Sequence, residues 1–222
     1  MFGRIARTYD LLNRLFSLGT DRRWRAKAIR QLQLHGAMKI LDCGAGTGDM
    51  SLTAHRFDPH VETYLLDPAH EMLSLADGKA GFIRPDQFVL IRGAAESVPF
   101  HDETFDRFMV AFGIRNFADL RGGIAELHRV LKPGGRGAVL EFTPDRSRFI
   151  DRAFRWYMQQ VMAPLGGKIS GEAQAYAYLA RTVQTFPVKD ELRRMFMEIG
   201  FQCTETRRLS LGIATLFVLI KP

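Results

Sequence analysis

Leu41-Asp42-Cys43-Gly44-Ala45-Gly46-Thr47-Gly48-Asp49, with Asp67 eighteen residues beyond it, decides the fold of this chain. Met38 to Leu41 is a short apolar run that predicts a buried strand, and after the glycines a helical stretch runs from Met50 to about Phe57. The order is strand, turn, helix. Gly44, Gly46 and Gly48 let the backbone take positive φ and let a ligand approach the main chain where a Cβ would clash. Val61 to Leu66 predicts a second strand, and Asp67 falls at its carboxyl end, where an open α/β sheet binds its ligands. A carboxylate there can accept both hydroxyls of a ribose, so the pattern predicts a nucleoside site.

Glycine spacing separates the nucleotide readings. The dinucleotide fingerprint has two residues between its second and third glycines, and here Thr47 alone intervenes. A phosphate-binding P-loop ends in Gly-Lys-Ser/Thr, whereas Gly48 is followed by Asp49, an anion where a phosphate would sit. The spacing, with Asp42, Asp49 and Asp67 around it, resembles motif I of class I S-adenosylmethionine-dependent methyltransferases. That ligand has no phosphate and carries a sulfonium and an ammonium, which suit nearby carboxylates. The competing reading is a glycine-rich turn without a ligand.

The chain outside this motif alternates strand and helix, as a doubly wound, mostly parallel α/β sheet requires. Ala69 to about Gly81 predicts a helix, Gln87 to Ile91 a third strand and Phe105 to Phe112 a fourth. Asp119 is placed to N-cap a helix whose face is Leu120, Ile124, Leu127 and Leu131, and Lys132-Pro133-Gly134-Gly135 stops it. Arg136 to Phe142 predicts the fifth strand. Leu192, Met195, Phe196 and Ile199 mark a last core helix ended by Gly200, and residues 201–210 and 212–221 a closing hairpin with an antiparallel C-terminal strand.

The 222 residues, 46% hydrophobic and 25% charged, suit a single domain with a sizeable core. Its parts read as an N-terminal helical cap (1–37), a cofactor-binding core (38–142), a lid insertion (143–187) and a C-terminal helix with hairpin (188–222). Cys43 and Cys203 lack the paired spacing of a zinc site, so no metal is expected. The N-terminus has no continuous apolar h-region, and the longest apolar stretch, Leu209 to Ile220, is interrupted by Gly212. A cytosolic chain without signal peptide or transmembrane helix is the expectation.

Charge is concentrated at one end. Residues 1–30 hold Arg4, Arg7, Arg14, Arg22, Arg23, Arg25, Lys27 and Arg30 against Asp10 and Asp21, a net +6 of the chain's +7. Ile5, Tyr9, Leu12 and Phe16 recur at helical spacing, and a basic amphipathic helix with aromatics suits an anionic membrane surface. The alternative is a capping helix packed on the domain with its arginines solvated; the two are compatible. The Thr143–Pro187 segment is too long for a plain connection. Its Phe149, Phe154, Trp156, Tyr157, Tyr176 and Tyr178 predict an aromatic lid over a hydrophobic substrate, or else a helical pair that extends the core.

Further motifs narrow the resemblance. Tyr9-Asp10-Leu11-Leu12-Asn13 and Ser17-Leu18-Gly19 lead to Arg22-Arg23-Trp24. Ala95-Glu96-Ser97-Val98-Pro99-Phe100, Phe112-Gly113-Ile114-Arg115-Asn116-Phe117, Arg129-Val130-Leu131-Lys132-Pro133-Gly134-Gly135 and Glu141-Phe142 follow in order, then Tyr176-Ala177-Tyr178-Leu179 and Phe186-Pro187. Over nearly its whole length the chain resembles the ubiquinone/menaquinone biosynthesis C-methyltransferase family. That resemblance implies a Rossmann-like class I methyltransferase fold and methyl transfer from S-adenosylmethionine to a ring carbon of a polyprenylated hydroquinone. Asp42, Gly44, Gly46, Thr47, Gly48, Asp67, Pro68, Ala94, Ala95, Glu96 and Ala111 are the cofactor-site candidates it implies.

The chemistry accounts for the remaining candidates. A hydroquinone carbon becomes nucleophilic when the adjacent phenol loses its proton, so the site must favour a phenolate and hold the carbon in line with the methyl. Arg115 and Asn116, after the fourth strand, are placed to stabilise the phenolate, and Tyr9 to hydrogen-bond the substrate oxygen or relay its proton. The family's arginine has been proposed as a general base. A guanidinium keeps its proton in proteins, so stabilisation with a water taking the proton is the reading kept here. The competing role for Arg115 is an ion pair with Glu141 or Asp119.

Three positions depart from the family pattern. Ala94 stands where relatives usually carry Asn or Asp, Ala111 where they often carry serine, and Arg181 where glutamate is usual. Two cofactor contacts are therefore expected to be missing, each worth about 0.5–1.5 kcal/mol. A sequence pI near 9.7 raises a nucleic-acid methyltransferase, but the amino-methylating enzymes carry Asn/Asp-Pro-Pro-aromatic where this chain has Ala111-Phe112-Gly113-Ile114. No nucleic-acid partner is expected, and a homodimer stays open. A secondary-metabolite methyltransferase acting on another phenol, and a non-catalytic scaffold retaining the cofactor site, are the rival functions.

Overall fold

The computed structural model describes residues 17, 19–81, 83–143, 182 and 186–222. In chain order its elements are α1 (Asp21–Gln31), β1 (Lys39–Cys43), α2 (Asp49–Phe57), β2 (Glu62–Asp67), α3 (His70–Lys79), β3 (Phe88–Arg92), β4 (Phe105–Ala111), α4 (Leu120–Val130), β5 (Leu131–Glu141), α5 (Lys189–Ile199), β6 (Gln202–Leu209) and β7 (Ala214–Ile220). Among the described residues the strands form one seven-stranded sheet in the order β3-β2-β1-β4-β5-β7-β6. The pairs from β3 across to β5 are parallel, and β7 lies antiparallel to both β5 and β6. After β3 the chain crosses back past β1 to add β4. The switch in direction between β1 and β4 leaves a crevice at the strands' carboxyl ends.

Helices on both faces explain why the central strands are apolar on both sides. Ile40, Leu41, Leu65, Leu66, Phe108, Met109, Val139 and Leu140 are all buried. On one face Phe108, Ile124, Leu127, Leu192, Phe196 and Phe217 form a core under α4 and α5. On the other, Trp24, Ile29 and Leu32 of the N-terminal region meet Met50, Ala54, Met109 and Leu216. Trp24 fixes α1 there, because its indole Nε1 donates to Ser210 Oγ at 3.0 Å, in the turn between β6 and β7.

Several local expectations need correction. Lys132–Gly135 does end α4, but those residues loop out within β5, whose pairing with β4 shifts between Phe105↔Leu131 and Arg107↔Arg136. Asp119 occupies the N-cap position of α4 without a side-chain capping bond. Glu96 Oε1 instead accepts from the N–H groups of Ala118 and Asp119, so a residue from another loop pins the turn that leads into α4. Arg25, counted by its sequence among solvated or membrane-facing bases, is buried. The Ile5–Phe16 helix, Tyr9 and almost all of the expected lid lie outside the described residues.

Candidate functional site

The carboxyl ends of β1, β2 and β4, with the loop after β3, enclose a cleft of about 340 Å³, in the size range of small-molecule sites. Its floor is the glycine turn. Gly44 and Ala45 N–H both donate to Leu66 O, at 2.8 and 3.1 Å, which ties the turn to β2. Gly46 has φ +55 and a Cβ there would meet none of the described residues within 4 Å, so positive φ is what the position requires. Gly48 has a second reason besides its positive φ. It opens α2 at φ +76, and a Cβ would press on Ala76, Leu65 and Phe88 at 3.0–3.2 Å. Gly48 does not line the cleft, whereas Gly44, Gly46 and Thr47 do.

Two acids brace this floor. Asp67 Oδ2 accepts from Gly46 N–H at 2.8 Å and Oδ1 from Ala69 N–H at 2.9 Å. Each oxygen keeps a lone pair for a hydroxyl. Burial raises the Asp67 carboxyl above the usual range, against the pull of those two N–H donors. Asp42 Oδ2 accepts from Ser51 N–H at 3.1 Å and Ser51 Oγ–H at 2.7 Å, holding α2 against β1. Burial pushes Asp42 up to about 7, opposed by Ser51 and by nearby Arg25. The buried Cys43 thiol is pushed up too, by burial first and then by the surrounding carboxylates, which makes it a poor nucleophile.

Pro68, Ala94, Ala95 and Glu96 form the adjoining wall. Arg129 holds that loop down, with Nη2 donating to Val98 O at 3.0 Å and Nη1 to Phe100 O at 2.8 Å, while Glu126 accepts from Val98 N–H at 2.8 Å. Ala94 and Ala111 present methyl groups to the cleft, with no side-chain donor or acceptor at either place.

The far wall contains Ala111, Phe112, Gly113, Asn116 and Phe117. Phe112 has φ +57, a left-handed conformation uncommon for a bulky residue. Its ring stacks on Phe142, centroids 4.6 Å apart, and borders Trp24 at 6.1 Å. Asn116 lines the cleft; its neighbour Arg115 does not. Arg115 Nη1 pairs with Glu141 Oε1 at 2.5 Å, both side chains almost fully buried, and its guanidinium lies over the Phe142 ring at 5.7 Å. Of the two ion-pair partners open to it, Glu141 rather than Asp119 is the one met. Burial raises the Glu141 carboxyl, with Arg115 pulling the other way.

Arg25 and Phe112 stand out among the cleft residues that escaped the sequence reading. Arg25 lines the cleft from α1, and Phe112 forms its wall. For Arg25 the only sequence signal was Asp21 four residues earlier, a spacing that serves equally for a solvated helix pair. Among the described residues no group of three or more His, Cys, Asp or Glu could hold a metal. No helix there is long and apolar enough to cross a membrane.

A sheet of this order, with a nucleoside-sized cleft over a glycine turn and an acid ending β2, is that of the class I S-adenosylmethionine-dependent methyltransferases. Residues 1–221 match the ubiE/COQ5 methyltransferase family, and the chain belongs to it. It is 42% identical over 218 residues to a demethylmenaquinone methyltransferase of Deinococcus radiodurans, covering 98% of this chain and 90% of that one. A protein of the same name from Thermus thermophilus is 40% identical over 222 residues, covering 100% of each. In fold it resembles an S-adenosylmethionine-dependent methyltransferase from Aquifex aeolicus, with TM-score 0.64, 15% identity and 89% of each chain covered. The cofactor is S-adenosylmethionine. The residues present suit it: spare lone pairs on Asp67 for ribose, an open Gly46 for close approach, and acids around a cationic ligand.

Proposed function

We propose that this enzyme methylates a ring carbon of a polyprenylated hydroquinone, a demethylmenaquinol or the equivalent benzoquinol. The observation that carries the proposal is the match of residues 1–221 to the family, with demethylmenaquinone methyltransferases covering 98–100% of the chain. S-adenosylmethionine supplies an electrophilic methyl on a sulfonium. Asp67 would hold its ribose, the Gly44–Thr47 turn its chain, and Ala94, Ala95 and Glu96 the adenine edge, with Ala111 opposite.

Asn116 faces the cleft and in this reading donates to the phenolate oxygen as the substrate loses its proton. Arg115, one residue back, is proposed to position the Asn116 turn through its pair with Glu141 rather than to transfer a proton, since a guanidinium stays charged. Tyr9 completes the proposed set as hydrogen-bond partner or proton relay at the substrate oxygen. The basic N-terminal helix is proposed to rest on an anionic membrane surface, where a prenylated substrate is dissolved.

Incubation with labelled cofactor and reduced demethylated quinones, naphthoquinol beside benzoquinol, followed by mass spectrometry, tests the reaction. One methylated quinol is expected, and the arm that yields it names the head group. No methylated product from either arm overturns the proposal. Equal turnover on short phenols without a prenyl tail moves the substrate class to soluble phenols.

A further inference from the structure

We infer that Arg25 binds the carboxylate of the cofactor's amino-acid end, which makes the N-terminal helix α1 part of the cofactor site. The inference rests on the cleft being that site. Charge is the first ground. The ionisable residues lining the cleft are Asp42, Asp49, Asp67, Glu96 and Arg25, so among the described residues Arg25 is the one permanent cation there. The cofactor's sulfonium and ammonium suit those acids; its carboxylate does not. A carboxylate entering this cleft needs a cation, and a guanidinium offers it a planar fork of donors.

Geometry is the second ground. Arg25 is only 6% exposed, yet it borders the cleft. Its Nη1 pairs with Asp21 and lies 3.6 Å from Asp49 Oδ2. Its Nε–H is buried and has no hydrogen-bond partner among the described residues. An orphaned donor on a charged group is costly to bury, and the cost falls when a ligand accepts from it. The guanidinium is also held in place: it lies over the Phe112 ring at 5.8 Å, and Trp24 and Ala28 on the same helix are buried in the core. The donor is therefore fixed before the ligand arrives, which reduces the ordering cost of binding.

A comparison of S-adenosylmethionine with its decarboxylated form isolates the carboxylate, because the two share adenosine, sulfonium and ammonium. Calorimetry on the wild type and Arg25→Ala is expected to show S-adenosylmethionine weakened about ten- to hundredfold by the substitution. The decarboxylated ligand should bind both proteins within about twofold, which also shows that the cleft of the variant is intact. Arg25→Lys should recover part of the loss. Hydrogen exchange in the wild type gives a second reading that needs no variant: α1 amides should slow with S-adenosylmethionine and not with the decarboxylated ligand. Equal weakening of both ligands would make Arg25 a packing residue and overturn the inference, as would no weakening of either. Wild-type protein that binds neither ligand overturns the cofactor reading itself.

Discussion

Arg25 and Arg115 are the same device placed differently. Each pairs its Nη1 with a buried carboxylate, Asp21 or Glu141, and each has a buried Nε–H without a partner among the described residues. Each lies over a phenylalanine, Phe112 at 5.8 Å and Phe142 at 5.7 Å, and those two rings stack on each other at 4.6 Å. The row runs arginine, ring, ring, arginine, from the N-terminal helix to the turn after β4. Only Arg25 borders the cleft. A buried arginine that touches ligand space is a recognition group, whereas one behind the wall acts first on the stability and position of what it holds.

Arg115→Ala gives the largest expected effect in stability. It strands Glu141, which is fully buried, and should cost about 3–5 kcal/mol in urea unfolding. The loss should shrink at low pH, where Glu141 can take up a proton. Arg115→Met combined with Glu141→Gln should recover most of it. Arg25→Ala should cost less, about 1–3 kcal/mol, since Asp21 keeps its bond from Ser17 Oγ and sits in the first turn of α1, where the helix favours an anion. Equal losses for the two would erase the contrast.

Asp67→Ala should lower cofactor affinity about ten- to hundredfold by calorimetry, the cost of losing charge-assisted bonds, while thermal stability changes less. Asp42 gives a pH signature. With its carboxyl raised to about 7 in the folded protein, the ligand-free fold holds a proton that the unfolded chain has already released. Its contribution to stability is therefore complete below about pH 4 and declines as pH rises through 7. Asp42→Asn should flatten that decline in thermal melts of the ligand-free protein. A cationic ligand favours the ionised acid, so wild-type cofactor affinity should rise over the same interval and the variant's should not. Trp24→Phe, which keeps the ring and removes the bond to Ser210, should have the smallest effect, about 0.5–1.5 kcal/mol, read by the urea midpoint.

Most of the sheet was legible from local pattern. The apolar runs at Met38, Val61, Gln87 and Phe105 became β1 to β4 within a residue or two, because short continuous apolar runs bounded by turn residues mark the strands of a covered parallel sheet. The entry to α4 is pinned by Glu96 from a distant loop, through the N–H groups of Ala118 and Asp119, and no local spacing shows that contact. Gly48 takes the positive φ that the spacing predicts, but packing against Leu65, Ala76 and Phe88 also requires it, and it does not line the cleft. Burial also separated Arg115 from Asn116: adjacent in the chain, they point to different surroundings on a short turn over Ile114–Asn116.

By itself the sequence determined the strand–turn–helix motif, the acid at the end of β2 and the methyltransferase family, because these depend on residue type and short spacings. Only the tertiary structure decided which basic residues are buried and which of them reach the cleft. Arg25 counted as one of eight bases in the first thirty residues, and its distinct place depends on Trp24 anchoring α1, on Phe112 turning back at positive φ, and on the crevice between β1 and β4. Burial is a property of contacts between segments far apart in the chain, and local composition carries almost no record of it.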